Sequence, residues 1–255
     1  MEARRFIPPW SRTVAAVAAI VHLGLGCGTE GGKLAMTSSN APPSPPPVLA
    51  HPPKTQGDWV TERWTMHRTE THLEGMRKGQ VDPWPETRFT RRFTRGDEAL
   101  GLCRVEVTRE APEAMPTEVT ELSLRTAPHA GTAQSDEWAF ARSVDAFPLS
   151  GDEAIAALAG RLFYLEDKAA WRVETSTEDG SLMLRYESPP PTITSPLQKT
   201  VQSHFRGKLV LTEGLPRALD GEITSIVSQA AFSGERQIWQ VVDKVAVTWQ
   251  FGSAP

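Results

Sequence analysis

Three residues early in the folded region have the types a metal ion uses. His67, Glu70 and His72 lie within six positions. On an extended strand side chains alternate between faces, so His67 and His72 point opposite ways and only Glu70 and His72 share a face. Two ligands do not close a tetrahedral zinc site. The sequence therefore predicts solvated polar residues on an edge strand and no metal centre.

The one basic cluster is Arg88, Arg91, Arg92 and Arg95, interleaved with Phe89 and Phe93. Strand alternation puts Arg91 and Arg95 on the face of the two phenylalanines, and Arg88 and Arg92 on the other. Guanidinium groups beside aromatic rings could hold an anionic ligand or a lipid headgroup. The charge run reads first as a solvated face pairing with acids elsewhere, Glu106 and Glu110 among them, and the ligand site is the alternative. Trp84 stands in Asp82-Pro83-Trp84-Pro85, a loop pattern, and is the tryptophan expected to be exposed. Trp84, Arg91 and Arg95 are thus the candidate contacts to a ligand or partner.

Cys103 shares strand parity with Val105 and Val107 and is expected to act as a small buried hydrophobe. Gly26, Gly28 and Gly31 match a Gly-x-Gly-x-x-Gly pattern but lack the strand before and the helix after that aim a helix end at phosphate. No phosphate-binding loop, nucleophile elbow, Cys-x-x-Cys or His-Glu-x-x-His occurs. No catalytic residue and no cofactor is expected.

These residues sit on elements that read mainly as strands. Trp171–Ser176 and Leu182–Glu187 flank a turn at Glu178-Asp179-Gly180, and Phe89–Arg95 pairs with Leu100–Arg109 across Gly96-Asp97-Glu98. Val201–Glu213, Glu222–Phe232 and Ile238–Phe251 form a meander, with 214–221 as the first connection. Trp239, Val241, Val245, Val247, Trp249 and Phe251 share one parity, and only Asp243 interrupts them, as a strand-end or bulge position. Asp152–Glu166 has helical spacing at Ile155, Leu158, Ala159, Leu162 and Phe163. The sequence predicts nine or ten antiparallel strands and one covering helix. The expected fold is mainly β, a single domain built as a broad curved sheet or incomplete barrel; a two-sheet sandwich is the alternative.

The residues ahead of this domain have another purpose. Arg4, Arg5 and Arg12 precede an apolar run, Val14 to Leu25, that is too short to span a bilayer but suits a secretory signal. Gly24-Leu25-Gly26-Cys27-Gly28 follows, with Leu23 one place ahead of where the pattern usually carries its Leu, Val or Ile. This resembles the lipobox of bacterial lipoproteins. The resemblance implies a signal peptide over 1–26, cleavage before Cys27 and lipid on that cysteine. It also implies an envelope location, with Gly28 in place of Asp favouring the outer membrane.

Residues 27–57 hold Pro42, Pro43, Pro45, Pro46, Pro47, Pro52 and Pro53 and almost no large apolar side chain. Such a segment reads as a disordered, extended tether, able to reach up to roughly 90 Å at about 3.1 Å per residue. Residues 58–255 then form the folded domain, large enough to bury a core. If Cys27 carries lipid, Cys103 has no disulfide partner and burial alone must hold the fold. Past the signal the chain has 24 Lys and Arg against 30 Asp and Glu, a net of −6. That sign does not suit nucleic acid, which needs clustered cations.

Three function classes stay open on this reading. One is a non-enzymatic envelope lipoprotein binding an apolar or lipid-like ligand, similar in architecture to the curved-sheet lipoprotein carriers of bacterial envelopes. The others are a structural or assembly factor for an envelope protein, and a hydrolase with no recognisable motif.

Overall fold

Alternation along the strands decides which side chains meet. On β1 (Trp59–Glu74) Val60, Glu62 and Trp64 share one parity and are buried. Phe251, Trp249 and Val247 stand opposite them on β10 (Arg236–Gly252). Phe93, Arg91 and Phe89 stand opposite on β3 (Thr87–Arg95). These rows make one inner face.

The structure is a computed structural model that describes residues 52–129, 132–165, 167–191, 198–230 and 235–253. Cys27, the 1–26 segment and the tether up to His51 lie outside the described residues. All described residues fall in one unit, Pro46–Pro255.

The remaining strands are β2 (Val81–Pro83), β4 (Leu102–Ala111), β5 (Glu118–Ser123), β6 (Trp171–Thr175), β7 (Leu182–Glu187), β8 (Thr200–Thr212) and β9 (Leu215–Ala230). They form a single antiparallel sheet in the order β5-β4-β3-β1-β10-β9-β8-β7-β6, with β2 paired to the far end of β1. The fold is therefore mainly β with one open sheet, and the sandwich alternative does not apply. Both edge strands are short, which limits the unpaired backbone they offer.

Two helices cover the inner face: α1 (Ala133–Asp145) packs on β4 and β5, and α2 (Gly151–Phe163) on β6. Each has acid in its first turn (Asp136; Asp152 and Glu153) and arginine in its last (Arg142; Arg161), which suits the helix dipole. The sequence predicted one helix, and α1 corrects that. Its buried residues Phe140, Ala141 and Val144 give too short an apolar stripe to announce a helix. α2 ends at Tyr164, which takes a left-handed conformation at φ 55°.

Between helices and sheet lies one core that runs from Val105 and Phe93 through Val247 and Leu219 to Leu184 and Trp171. Gly207 and Gly221 face each other on β8 and β9, and the Phe205 ring lies over both; a Cβ at either would come within 2.5 Å of it. The missing side chains make room for Phe205 to stack on Phe163 of α2, with centroids 4.5 Å apart. The opposite face carries exposed Arg63, His67, Lys244, Glu222, Arg206 and Arg185 and meets solvent.

Three local expectations need correction. β1 is a central strand, so His67 and His72 are not on a sheet edge. Asp243 lies in the middle of β10, in regular register opposite Arg68, and is neither a strand end nor a bulge. The β8–β9 connection is not 214–221 but a tight turn at Glu213 and Gly214, because β9 starts at Leu215.

Candidate functional site

A carboxylate on the inner face, among apolar neighbours, is the point where this sheet departs from a plain core. Glu62 is 0% exposed. Strand register places Trp249 opposite it on β10 and Arg91 opposite it on β3. Trp64, two residues along β1, lies on the same face, and the last turn of α2 brings Arg161 down onto it.

Both carboxylate oxygens are engaged. Trp64 Nε1 donates to Glu62 Oε1 at 2.8 Å. Arg161 Nη2 donates to Oε2 at 2.8 Å, and Trp249 Nε1 donates to the same oxygen at 3.1 Å. Arg91 Nη1 is 3.8 Å from Oε1. Burial alone would push the Glu62 carboxyl up. The Arg161 and Arg91 guanidiniums, with hydrogen bonds from Arg161 and Trp64, outweigh burial and hold it below the usual carboxylate value. Glu62 is therefore an anion inside the protein. Both guanidiniums also lie over the Phe140 ring of α1, at 5.9 Å for Arg91 and 5.5 Å for Arg161, so α1 joins the cluster.

At the rim the shifts reverse. Burial raises the pKa of Asp136, against the pull of Arg91. Burial raises Glu137 too, with Asp136 and Glu118 adding to the rise and Arg91 opposing it. Tyr164 is raised mainly by burial. Four buried polar atoms on the two helices have no hydrogen-bond partner among the described residues: Glu137 Oε2 and Trp138 Nε1 on α1, and Arg161 Nε and Nη1 on α2. Each such group costs about 1–3 kcal/mol when left unmet. The junction of α1, α2 and the sheet thus combines strong charge pairing with incomplete hydrogen bonding. Its chemistry is positional: the buried anion has both oxygens occupied and no solvent, so it offers a substrate neither a proton nor a nucleophile.

Open hollows occur elsewhere, beside edge strand β6. One, about 350 Å³, is lined by Asp152, Glu153, Lys168, Trp171 and Arg172 among others; the second, about 330 Å³, by Arg172, Glu187, Pro189 and Gln202 among others. Among the described residues no group of three or more His, Cys, Asp or Glu side chains is placed to hold a metal ion.

No family model and no curated protein matches the chain. Among solved structures it is similar to one described as lipid–protein interactions in lipovitellin, at 10% identity and a TM-score of 0.28. That match covers 79% of this chain and 26% of the other, so the chain spans about a quarter of that protein's length. A likeness at that score carries no argument about function.

The residues nominated from sequence fall in different places. Trp84 is exposed, at 46%, on the chain after β2, and its backbone N–H donates to the Arg68 carbonyl at 3.0 Å. Arg91 lies in the seam just described. Arg95 is buried: its Nε donates to the Pro53 carbonyl at 2.9 Å and its Nη2 to Asp145 Oδ1 at 2.5 Å, tying the entry of the domain to the end of α1. The structure does not bring the three together. His72 Nε2 lies 3.1 Å from Asp82 Oδ2, His67 pairs with Glu86 at 3.2 Å, and Arg68 makes a bidentate pair with Asp243 at 2.7 Å on both arms. Cys103 is buried, and burial pushes its thiol up to about 11.

Sequence reasoning missed Glu62 and Arg161. A signal existed: Glu62 shares parity with Val60 and Trp64, and Arg161 directly precedes Leu162 and Phe163 on a buried helix face. Charges of opposite sign on two buried faces call for each other.

Proposed function

We propose that the chain is an exported bacterial-type lipoprotein, held in the envelope by lipid on Cys27, whose sheet domain binds an apolar or lipid-like ligand without transforming it. The Arg-rich and apolar N-terminus with its lipobox-like Gly24–Gly28 supports export and lipidation. The observation that carries the binding reading is the seam at Glu62. A wide apolar sheet face is covered by only two short helices, and their junction with it leaves Arg161, Glu137 and Trp138 short of hydrogen bonds. Those unmet groups mark the helix faces that gain by rearranging, and an apolar molecule can be admitted onto the inner face beside the Arg161–Glu62 pair while that pair stays closed. The engaged state of Glu62 favours binding over chemistry.

The full chain, purified in detergent from bacterial envelopes, tests this by intact mass and organic extraction. Acyl groups on Cys27 and a reproducible further mass that extracts as lipid are expected. A mature chain with unmodified Cys27 would remove the anchor. An acylated chain with no additional mass would remove the carried ligand and leave a protein partner as the reading. That second reading, an assembly factor, is favoured by the exposure of Trp84.

A further inference from the structure

We infer that the tip of the β1–β2 hairpin, Leu73 to Val81, is a membrane-contact surface that rests on a lipid bilayer. Leu73 is 38% exposed, Val81 55% and Met76 84%. Val81 stands opposite Thr71 near the end of the arm, Leu73 falls at the irregularity in β1 between His72 and Glu74, and Met76 lies in the turn beyond.

The turn is preformed. Lys78 N–H donates to the Gly75 carbonyl at 3.1 Å, Gln80 N–H to Arg77 at 2.9 Å and Gly79 N–H to His72 at 2.8 Å. Gly75 and Gly79 hold φ of +95° and +84°, which glycine adopts without strain. Arg77 is braced by Gln80 Oε1 at 2.8 Å and Asp82 Oδ2 at 2.6 Å. Met76 is therefore held out on a fixed turn.

Single exposed apolar residues are ordinary. Three around one turn, with Arg77 already paired to Asp82 and Lys78 exposed beside them, form an apolar tip that carries a cation at its edge. That pairing suits the bilayer interface, where apolar groups enter and cations stay with the headgroups. A protein partner needs a complementary area on the order of 1,000 Å² or more, which nine residues do not supply. A bilayer needs no matching shape.

The contact draws on the anchoring proposed above for proximity alone. β1 has 16 residues and spans roughly 50 Å from the entry of the domain to the tip. The chain from Cys27 to the domain can reach up to about 90 Å, so the tip can meet the membrane that holds the anchor. Anchoring raises the effective concentration, so three side chains are enough.

The test uses the full chain in vesicles of phosphatidylethanolamine and phosphatidylglycerol. A fluorophore is attached at Met76→Cys and, as control, at Val119→Cys on β5, and quenching by nitroxide lipid is measured. The mass of the mature chain reports acylation separately. Quenching at position 76 and not at 119 is expected, with its loss on adding Leu73→Glu and Val81→Glu. Equal quenching at the two positions in an acylated chain overturns the inference, as does quenching at 76 that appears only when envelope proteins are present. If Cys27 proves unmodified, the anchor fails on its own; flotation of that chain with vesicles, lowered about tenfold by Met76→Glu, would then support the tip. No flotation, or flotation unchanged by Met76→Glu, would overturn it.

Discussion

Arg161 Nη2 meets Glu62 Oε2 at 2.8 Å across the boundary between α2 and the sheet, and the carboxylate it meets is wholly out of solvent. Removing one member of such a pair leaves a buried charge without compensation. Glu62→Ala is expected to lower unfolding free energy by about 3–5 kcal/mol in urea titrations. Replacing both, Glu62→Met with Arg161→Met, should recover only part of that loss, because Arg91 and the Trp64 and Trp249 indoles still lose their acceptor. A double variant as unstable as the single one would mean that Glu62 and Arg161 do not offset the cost of each other's burial.

Acid should act through the same carboxylate. Glu62 is held below its ordinary value of 4.5, so the stability it contributes is present above that pH and is lost as pH falls through its lower folded value. In Glu62→Gln this part of the acid slope should flatten. Thermal melts of both proteins from neutral pH downward measure it, and parallel slopes would count against the assignment.

Glu137 has the opposite sign. Burial raises its pKa, so ionising it weakens the folded state as pH rises past the ordinary carboxylate range. Glu137→Gln is expected to raise stability at neutral pH, with the gain vanishing in acid, where the native residue is already protonated. Chemical denaturation at two pH values distinguishes this from a pH-independent packing effect.

Thiol chemistry separates the two cysteines. Cys103 is buried with its thiol pushed up to about 11. A disulfide reagent at pH 8 should label it only as fast as the domain opens. A fast-reacting thiol in the native mature chain would belong to Cys27 and would show that it carries no lipid.

The Gly207–Gly221 pair is a packing device. A Cβ at Gly207 meets the Phe205 ring at 2.5 Å and the Asp220 carbonyl at 2.8 Å. Gly207→Ala should therefore cost about 1–3 kcal/mol. The loss should shrink, but not disappear, when measured in Phe205→Ala, because the carbonyl remains.

Much of the sheet was legible because alternation is local. The hairpins at 96–98 and 178–180, the three strands of the final meander and the burial of Cys103 follow from parity and turn residues alone. What hid were relationships between distant segments. Asp243 breaks an apolar run, and only the register of β1 against β10, which brings Arg68 opposite, explains why it is tolerated. Arg91 and Arg95 were visible as a cluster, but whether they face solvent depended on α1, whose short apolar stripe is weak. Glu62 looked like any strand glutamate until α2 was placed above it. The reading of 1–27 rests on a charge and apolar pattern and on resemblance, and that of the tether on composition; residues 1–51 lie outside the described residues.

The sheet order also bears on how the domain assembles. β1, β3, β4 and β5 form one ladder of near neighbours in sequence, and β6 to β10 form another; the two halves join only where β1 pairs with β10, from Trp59 opposite Gly252 to Glu74 opposite Ile238. As the chain is made from its N-terminal end, β1 waits for its second partner until almost the whole domain exists. Its open flank, with Trp64 and Val60, is meanwhile an adhesive strand edge, and closing it is a slow, long-range step. The completed junction sits at the centre of the sheet, so a chain stopped before β10 has no second partner for β1 and no joined sheet. The last strand of the chain is thus the one that makes a single sheet of two local ladders.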